Sequence, residues 1–189
     1  MGSPRSRAVV WFRNDLRVCD HTPLTRASET FASVVPLYCF DPRQFRRTPN
    51  GFPKTGSLRA KFLLESVLDL RRSLQSLGSD LVVRYEQPEK TIPKIVRKLG
   101  AEAVYYHREI ASEELEVERR LGIALSDLRV PMRGFDDLAL YRTEDLPFKR
   151  DKVPSVFSNF RRIVEKESKP IEPLPAPSRL PPLPTVYLG

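Results

Sequence analysis

The sequence predicts one α/β domain, a parallel sheet covered by helices on both faces. Short apolar runs of strand length alternate with longer amphipathic segments along most of the 189 residues, which is the order of a parallel sheet with crossover helices. The runs lack the alternation of a half-exposed sheet, so both faces of each strand should be buried. No run of about 18 apolar residues is present, so the sequence offers no candidate for a membrane span.

The first predicted strand is the apolar run AVVWFR at 8–13, and a short helix follows it. Thr22 is expected to cap this helix, because Pro23 behind it has the backbone angle of a first helical position and needs no N–H partner there. The helix should end near Phe31. These residues form the first strand–helix unit of the alternation.

The second predicted strand is SVVPLYCFD at 33–41, in which Pro36 is a local irregularity. The long segment 57–78 carries leucine, valine and phenylalanine residues at helical spacing. Gly78 follows the last apolar residue, as glycine commonly does at a helix C-terminus because it adopts positive φ without steric cost. The pattern therefore predicts a long helix after the second strand.

Three further strands complete the predicted sheet, at 80–86, 101–109 and 130–137. Helices are predicted between them at 88–100 and 112–128. The first of these helices again ends in a glycine. Ser112 should cap the second helix, since Glu113 and Glu114 behind it place acids at the positive end of the helix dipole.

Both ends of the chain differ in composition from the domain predicted at 8–165. Residues 1–7 are interpreted as a flexible leader, although Gly2 and Ser6 also match the short pattern for N-myristoylation. Residues 166–189 are dense in proline, a composition that favours polyproline II and has no core of its own. We therefore expect this tail to be a stiff linker or a docking peptide.

The chain is basic, with a formal net charge of +8 and a pI near 9.7. Such an excess favours anionic partners, nucleic acid among them. The basic residues are dispersed, however, and recur near predicted helix ends, where they complement the helix dipole, so a solvated surface is the simpler interpretation. Cys19 and Cys39 have no metal-ligand spacing and suggest no disulfide framework, which favours a soluble chain in a reducing, intracellular compartment.

Common catalytic and cofactor motifs are absent from the sequence. It contains neither the glycine-rich fingerprint for dinucleotides nor the phosphate-binding P-loop. It contains no G-x-S-x-G nucleophile elbow, and His21 and His107 have no partner at metal-ligand spacing. We therefore predict no catalytic residue and no metal site in this chain.

Charged residues follow the first strand in the loop RNDLR. Arg13, Asp15 and Arg17 lie where parallel strands end, which is the edge at which α/β sheets bind ligands. Buried charges must also be paired. We therefore expect Arg13, Asp15 and Arg17 to pair with one another and hold the loop in shape, with direct ligand contact as the alternative.

Several long motifs resemble those of the photolyase/cryptochrome family, in a single order. The stretch VVWFRNDLRVCDHTPL at 9–24 resembles the family form WFR-x-DLR-x-x-DN, and further matches are VVPLYCFDPRQF, HREIASEELEVER and EDLPF. The segments FPKTG and EELEVER look most like the cryptochrome-DASH branch. The resemblance covers about residues 8–165. His21 departs from the family, which usually has asparagine there.

The resemblance implies a Rossmann-like five-stranded parallel sheet in the order 3-2-1-4-5, the N-terminal α/β domain of the family. This domain carries an antenna chromophore, commonly a folate such as methenyltetrahydrofolate or a deazaflavin, that absorbs light and passes the energy to FAD. The FAD, the tryptophan electron-transfer chain and the DNA-lesion pocket belong to a larger helical domain. The sequence has no match to that helical domain, so we expect this chain alone to lack FAD. Trp11 is the only tryptophan and cannot form a multistep electron-transfer chain, so we also expect no light-driven DNA repair.

The resemblance and the strand ends together give candidate contacts for an antenna. A chromophore ring needs an apolar wall and acceptors for its N–H groups, and a folate tail needs cations. The candidates are Cys39, Phe40 and Asp41 after the second strand, Glu109 after the fourth strand, and the cations Lys54 and Arg59. Ordinary strand-end packing and a solvated acid are the alternatives for Phe40 and Glu109, and His107 is expected to be packed or solvent-facing.

Two functions remain open from the sequence. In the first, the chain is the antenna-binding domain of a DASH-like cryptochrome or photolyase, which acts with a helical FAD domain and reaches DNA through that larger protein. In the second, it is a stand-alone binding or interaction module without light-driven chemistry, with nonspecific nucleic-acid binding as a weaker variant. The number and order of the matching motifs favour the first.

Overall fold

Five strands form one parallel sheet in the computed structural model, which describes residues 6–184. Their order is β3-β2-β1-β4-β5, so the predicted fold class is confirmed. The strands are β1 Arg7–Phe12, β2 Ser33–Cys39, β3 Val82–Arg84, β4 Ala103–His107 and β5 Met132–Phe135. The α-helices within the same residues are α1 Thr22–Thr30, α2 Ser57–Ser76, α3 Pro88–Leu99, α4 Ser112–Ser126 and α5 Phe157–Glu167.

The central strand β1 buries both of its faces. Ala8, Val10 and Phe12 pack in one apolar cluster with residues of α1 and α2. Val9 and Trp11 pack in a second cluster with residues of α3 and α4. This division follows from the two-residue period of a strand. The continuous apolar run therefore corresponds to a sheet covered on both faces, as predicted.

The glycine signals at helix ends are confirmed. Gly78 and Gly100 have φ of 87° and 61°, in the left-handed region that glycine occupies without strain. Gly78 follows the C-cap of α2, and Gly100 is itself the C-cap of α3. Both long helices therefore stop where the sequence predicted.

Two helix starts differ from the prediction. The N-cap of α1 is His21 rather than Thr22, and its Nδ1 accepts a hydrogen bond from the Leu24 N–H at 3.1 Å. The imidazole thus satisfies a backbone donor that a threonine hydroxyl was expected to satisfy. The N-cap of α4 is Ala111, and Ser112 is already the first helical residue.

The proline-rich segment folds back on the domain. Leu180 is 2% exposed and belongs to the apolar cluster that contains α1 and α2. The Leu180 N–H donates to the Leu77 carbonyl at 2.9 Å, and Ser33 Oγ donates to the Pro182 carbonyl at 2.9 Å. The described part of the tail is therefore docked along the domain.

The predicted leader lies mostly outside the described residues. Residues 1–5, with Gly2 of the myristoylation pattern, are not described, and neither are residues 185–189 of the tail. Ser6 is buried, and its Oγ accepts from the Ala32 N–H at 3.2 Å. β1 begins at Arg7, one residue before the predicted strand. Between residues 6 and 184, no helix combines the length and apolarity needed to cross a membrane.

Candidate functional site

A cavity of about 380 Å³ opens at the carboxyl ends of the strands. Residues at the ends of β1, β2 and β4 line it, together with the first turns of α4. Strand order reverses between β1 and β4, and such a reversal leaves a crevice where α/β sheets bind ligands. Four of the predicted contacts meet in this strand-end cavity, namely Cys39, Asp41, Lys54 and Glu109.

The apolar wall of the strand-end cavity is formed by Trp11 and Cys39, with Val117 of α4. The Arg13 guanidinium lies 4.5 Å from the centre of the Trp11 ring, a cation–π distance that fixes the indole in place. Burial raises the pKa of the Cys39 thiol to about 12, so the thiol stays protonated and packs as a small apolar group.

Glu109 supplies the acceptor at the cavity. Asn14 Nδ2 donates to Glu109 Oε1 at 2.7 Å, and Arg13 Nη2 lies 3.3 Å from Oε2. Burial raises the pKa of Glu109, and the positive charge of Arg13 partly offsets that rise. Each carboxylate oxygen has a second lone pair, so Glu109 can accept a ligand N–H without losing either partner.

Arg43 is a lining residue that sequence reasoning missed. It donates to Asp41 from Nε at 2.9 Å and to the two oxygens of Glu89 at 2.7 and 2.8 Å. The hydrogen bond to Asp41, reinforced by Glu89, raises the pKa of Arg43 against the opposing effect of burial. The available signal was the order Asp41-Pro42-Arg43 after β2, which is typical of a capped turn.

The two predicted cations lie in neighbouring sites. Lys54 lines the strand-end cavity and pairs with Glu113 where that cavity meets a groove of about 550 Å³. Arg59 is exposed in the first turn of α2 and lines only this groove, together with Arg17 and Phe62. A ligand held in the strand-end cavity would therefore meet Lys54 directly and Arg59 only through an extension into the groove.

Phe40 is the predicted contact after β2 that does not line the strand-end cavity. It packs with the apolar cluster on the other face of the sheet, edge-on to Tyr38 at 4.9 Å between ring centres. Cys39 belongs to the opposite cluster and lines the cavity. Tyr38, one residue before it, also lines the cavity, whereas Phe40 does not. Trp11 takes the role of the aromatic wall that Phe40 was expected to fill.

The charges of the β1 loop do not pair with one another as predicted. Some of their partners are close in the sequence, and others come from β4 and α4, 92 to 105 residues further along the chain. Arg13 pairs with Glu118 and Glu109, Asp15 with His21 and His107, and Arg17 with Asp20. The loop is therefore held in shape by ion pairs, but the partners are other residues.

His107 is packed rather than solvent-facing, at 1% exposure, and its environment was not foreseen. Its ring lies between Asp15 and Asp137, and beside His21. The carboxyl ends of β1, β4 and β5 bring these residues together. The available signal was that each follows or ends a strand of the same parallel sheet.

Comparison with known proteins gives consistent matches over almost the whole chain. Residues 8–178 match the family model described as DNA photolyase. A cryptochrome DASH from Gloeobacter violaceus is 57% identical over 181 residues, which cover 96% of this chain and 36% of that protein. The blue-light photoreceptor PHR2 of Arabidopsis thaliana is 45% identical over 162 residues, 86% of this chain and 36% of the relative.

The fold gives the same result. A crystal structure of a cryptochrome from Synechocystis superposes with a TM-score of 0.94 at 42% identity and covers 97% of this chain and 38% of that one. The chain thus spans little more than a third of the length of these relatives. It belongs to the DNA photolyase family and has the α/β fold of the family's N-terminal domain, with cryptochrome DASH proteins among its relatives.

Proposed function

We propose that this chain is the light-harvesting domain of a DASH-type cryptochrome or photolyase and that it binds a folate or deazaflavin antenna in the strand-end cavity. The observation that carries the proposal is the pairing of an indole wall, Trp11, with a partly buried acceptor, Glu109, in one cavity at the strand ends. When bound, the antenna would absorb light and pass the energy to FAD in the helical domain of the whole protein.

The lining residues fit a planar ring better than a phosphate-rich ligand. A volume of about 380 Å³ is at the lower end of ordinary ligand pockets. Five acids and four bases line the cavity, so its charge is nearly balanced. The acids are acceptors for ring N–H groups, whereas the backbone cradle that phosphates require is absent from the sequence. A pterin or a deazaflavin ring therefore suits these side chains.

The helical FAD domain is the partner that this function requires. The outer face of α2 offers it an apolar surface, since Leu58 and Phe62 are 84% and 70% exposed. An apolar surface of this kind on a helix marks a contact site for another structural unit. We infer that the FAD domain of the whole protein covers this face, that DNA is reached through that domain, and that this chain alone holds the antenna weakly.

The reading of the chain as a stand-alone module has less support. Its recruiting element would be the proline-rich tail, but Leu180 of that tail is buried in the domain core.

Fluorescence of Trp11 tests the proposal. It is the single tryptophan of the chain and lines the cavity, so its emission reports on occupancy. Titration with methenyltetrahydrofolate should quench the emission with saturation, and Glu109→Gln should require more ligand for the same quenching. Glu65→Gln, an exposed glutamate on α2, is the matched control and should titrate like the wild type. Quenching that never saturates, or that is the same in Glu109→Gln, would contradict the proposal.

A further inference from the structure

Four titratable side chains meet beneath the strand-end cavity. They are Asp15, His21 and His107, which are each at most 1% exposed, and Asp137, whose side chain is 9% exposed. They come from the β1 loop, the start of α1, the end of β4 and the segment after β5. We call this group the histidine–aspartate clamp.

The hydrogen bonds assign the proton of His21. Its Nδ1 accepts from the Leu24 N–H at the start of α1, so Nδ1 carries a lone pair. The ring proton must then be on Nε2, which lies 2.9 Å from Asp15 Oδ2. A ring with one proton is neutral, and burial lowers the pKa of His21 in spite of the opposing interaction with Asp15. The contact of Nε2 with Asp15 lacks the alignment of a regular hydrogen bond.

Both nitrogens of His107 face carboxylates. Nδ1 lies 2.5 Å from Asp15 Oδ2, and Nε2 lies 2.8 Å from Asp137 Oδ1, without the alignment of a regular hydrogen bond. Burial alone would lower the pKa of His107, but Asp137 and Asp15 outweigh it and raise that pKa. A ring with an acid at each nitrogen is best satisfied as an imidazolium that donates to both.

The same hydrogen bonds argue against a metal ion. Asp15, His21 and His107 offer three ligand atoms within 4.8 Å of one another, which is a plausible metal-binding distance. A metal on His21 would need the lone pair of Nε2, yet Nδ1 already uses the lone pair of the neutral ring. The 2.5 Å between Asp15 and His107 is a hydrogen-bond distance that leaves no room for an ion between them.

The clamp supports the residues that line the cavity. Asp15 Oδ1 accepts from the Arg13 N–H at 2.7 Å, which fixes the backbone before Asn14. His107 lies two residues before Glu109, and Arg13 Nη1 approaches the His107 carbonyl at 3.5 Å. Asn14 and Glu109 in turn contact each other at the cavity.

We infer that the histidine–aspartate clamp, with His107 protonated, holds the β1 loop against β4 and the segment after β5. In this way the clamp positions Asn14 and Glu109 for the ligand. The expected effect of the clamp on ligand affinity rests on the proposed function. The effect of the clamp on the β1 loop is independent of that function. Residues of the clamp are positioning residues, because none of the four lines the cavity.

Other charged groups near the clamp belong to the same elements. The positive charge of Arg17 in the β1 loop adds to the effect of burial and lowers the pKa of His21. The positive charge of Arg142, beyond β5, lowers the pKa of Asp137 against the effect of burial. Arg13 lies above His107 and is paired with Glu118 of α4 and with Glu109. Thr22 of α1 donates to Asp137. Asp137 and Asp15 are therefore the charged groups that act most directly on the titration of His107.

Nitrogen NMR of the imidazoles tests the proton assignment, and the chain has only two histidines to resolve. In a pH titration we expect His107 to keep protons on both nitrogens at higher pH than His21 does, because Asp137 and Asp15 raise the pKa of His107 in spite of burial, whereas burial lowers the pKa of His21. The neutral His21 ring should carry its proton on Nε2. Addition of one equivalent of Zn²⁺ should leave both rings unchanged. Loss of the second His107 proton at a lower pH than that of His21, or tight Zn²⁺ binding that removes the His21 proton, would overturn the inference.

Asp137→Asn tests the positioning role, with Asp136→Asn as the matched control. Asp136 is exposed and pairs with Arg108, outside the clamp. Asp137→Asn should lower the pKa of His107 and speed hydrogen exchange of the Arg13 N–H, and Asp136→Asn should change neither. Equal exchange rates of the Arg13 N–H in the wild type and both variants would overturn the positioning role of the clamp.

Binding of methenyltetrahydrofolate separates this inference from the proposed function. In Asp137→Asn the dissociation constant should rise about 2- to 30-fold, a range typical of residues that act without touching a ligand. In the wild type, affinity should fall as alkaline pH deprotonates His107, and in Asp137→Asn that fall should begin at lower pH. Faster exchange in Asp137→Asn with no binding by any variant would support the clamp and contradict the proposed function. Binding that is identical in both variants would contradict the positioning role.

Discussion

Arg13 and Glu109 form an ion pair of 3.3 Å between the ends of β1 and β4, with side chains that are 7% and 11% exposed. Arg13 also pairs with Glu118 of α4 and lies against the Trp11 ring. One guanidinium thus neutralises two acids at the strand-end cavity and holds its indole wall. This makes Arg13 the charge on which the geometry of the cavity depends most.

Arg13→Met is expected to destabilise the fold by about 3–5 kcal/mol, because it removes the positive charge that Glu109 and Glu118 share in a poorly solvated site. Urea unfolding of both proteins measures the difference. Arg26→Met breaks an exposed pair with Glu29 and should cost about 1 kcal/mol or less. Equal losses in the two variants would show that Arg13 is not a buried anchor.

Glu109→Gln is expected to weaken binding of methenyltetrahydrofolate about 10- to 150-fold, which corresponds to the loss of one hydrogen bond to a charged acceptor. Calorimetric titration gives the dissociation constants. Arg59→Ala should have a smaller effect, since Arg59 lies in the neighbouring groove. A larger effect of Arg59→Ala than of Glu109→Gln would place the ligand in that groove instead.

Local patterns in the sequence were sufficient for the strands and most helix ends, whereas the order of the strands was predicted from the family resemblance. Apolar runs mark β1 and β2, and Gly78 and Gly100 mark helix ends through their backbone freedom. The partner of Arg13 was not predictable in the same way, because Glu118 comes from a helix far along the chain. The direction of the Phe40 side chain was not predictable either, because a shift of one residue in strand register reverses the face that a side chain occupies.

Leu180→Ala is expected to destabilise the chain by about 2–5 kcal/mol, since it opens a space in the core where the tail docks. Urea unfolding should show the loss as a lower midpoint. Leu140→Ala removes a leucine that is 63% exposed and should change stability by about 0.5 kcal/mol or less. An unchanged midpoint for Leu180→Ala would mean that the tail does not contribute to the core.

The stability of the chain is expected to fall between about pH 6.5 and pH 5, and His21→Asn should reduce that fall. Burial lowers the pKa of His21 in the folded chain, so the unfolded chain binds a proton at this residue first as pH falls through 6.5. Proton binding favours the unfolded state, and the free energy of unfolding therefore decreases. His107 has a raised pKa, so its contribution is complete below 6.5 and is lost only toward alkaline pH. Urea midpoints at the two pH values measure the effect.

His21→Asn keeps an N-cap residue for α1, since asparagine is a strong cap, so the variant should fold. The contacts with His107 and His21 lower the pKa of Asp15 in spite of its burial. Stability should therefore fall again at still lower pH, as the Asp15 carboxylate becomes protonated. An identical loss between pH 6.5 and pH 5 in wild type and His21→Asn would show that His21 is not the responsible group.

The purified 189-residue chain is expected to show no stoichiometric flavin absorption and no light-driven DNA repair. The family resemblance places the FAD pocket in the helical domain, and a single tryptophan does not form a multistep electron-transfer chain. An absorption spectrum of protein purified with added FAD is the measurement. Bound flavin in a one-to-one ratio would contradict this expectation.

The central claim is that the strand-end cavity holds the antenna, and amide NMR tests it most directly by mapping where methenyltetrahydrofolate binds. We predict saturable shifts of the Trp11 indole N–H and of the amides of Cys39 and Glu109, with little change in β3 and β5. Trp11 gives one indole signal, which makes the assignment unambiguous. Shifts confined to the groove beside Arg59, or no saturable shift at ligand concentrations in the millimolar range, would contradict the claim.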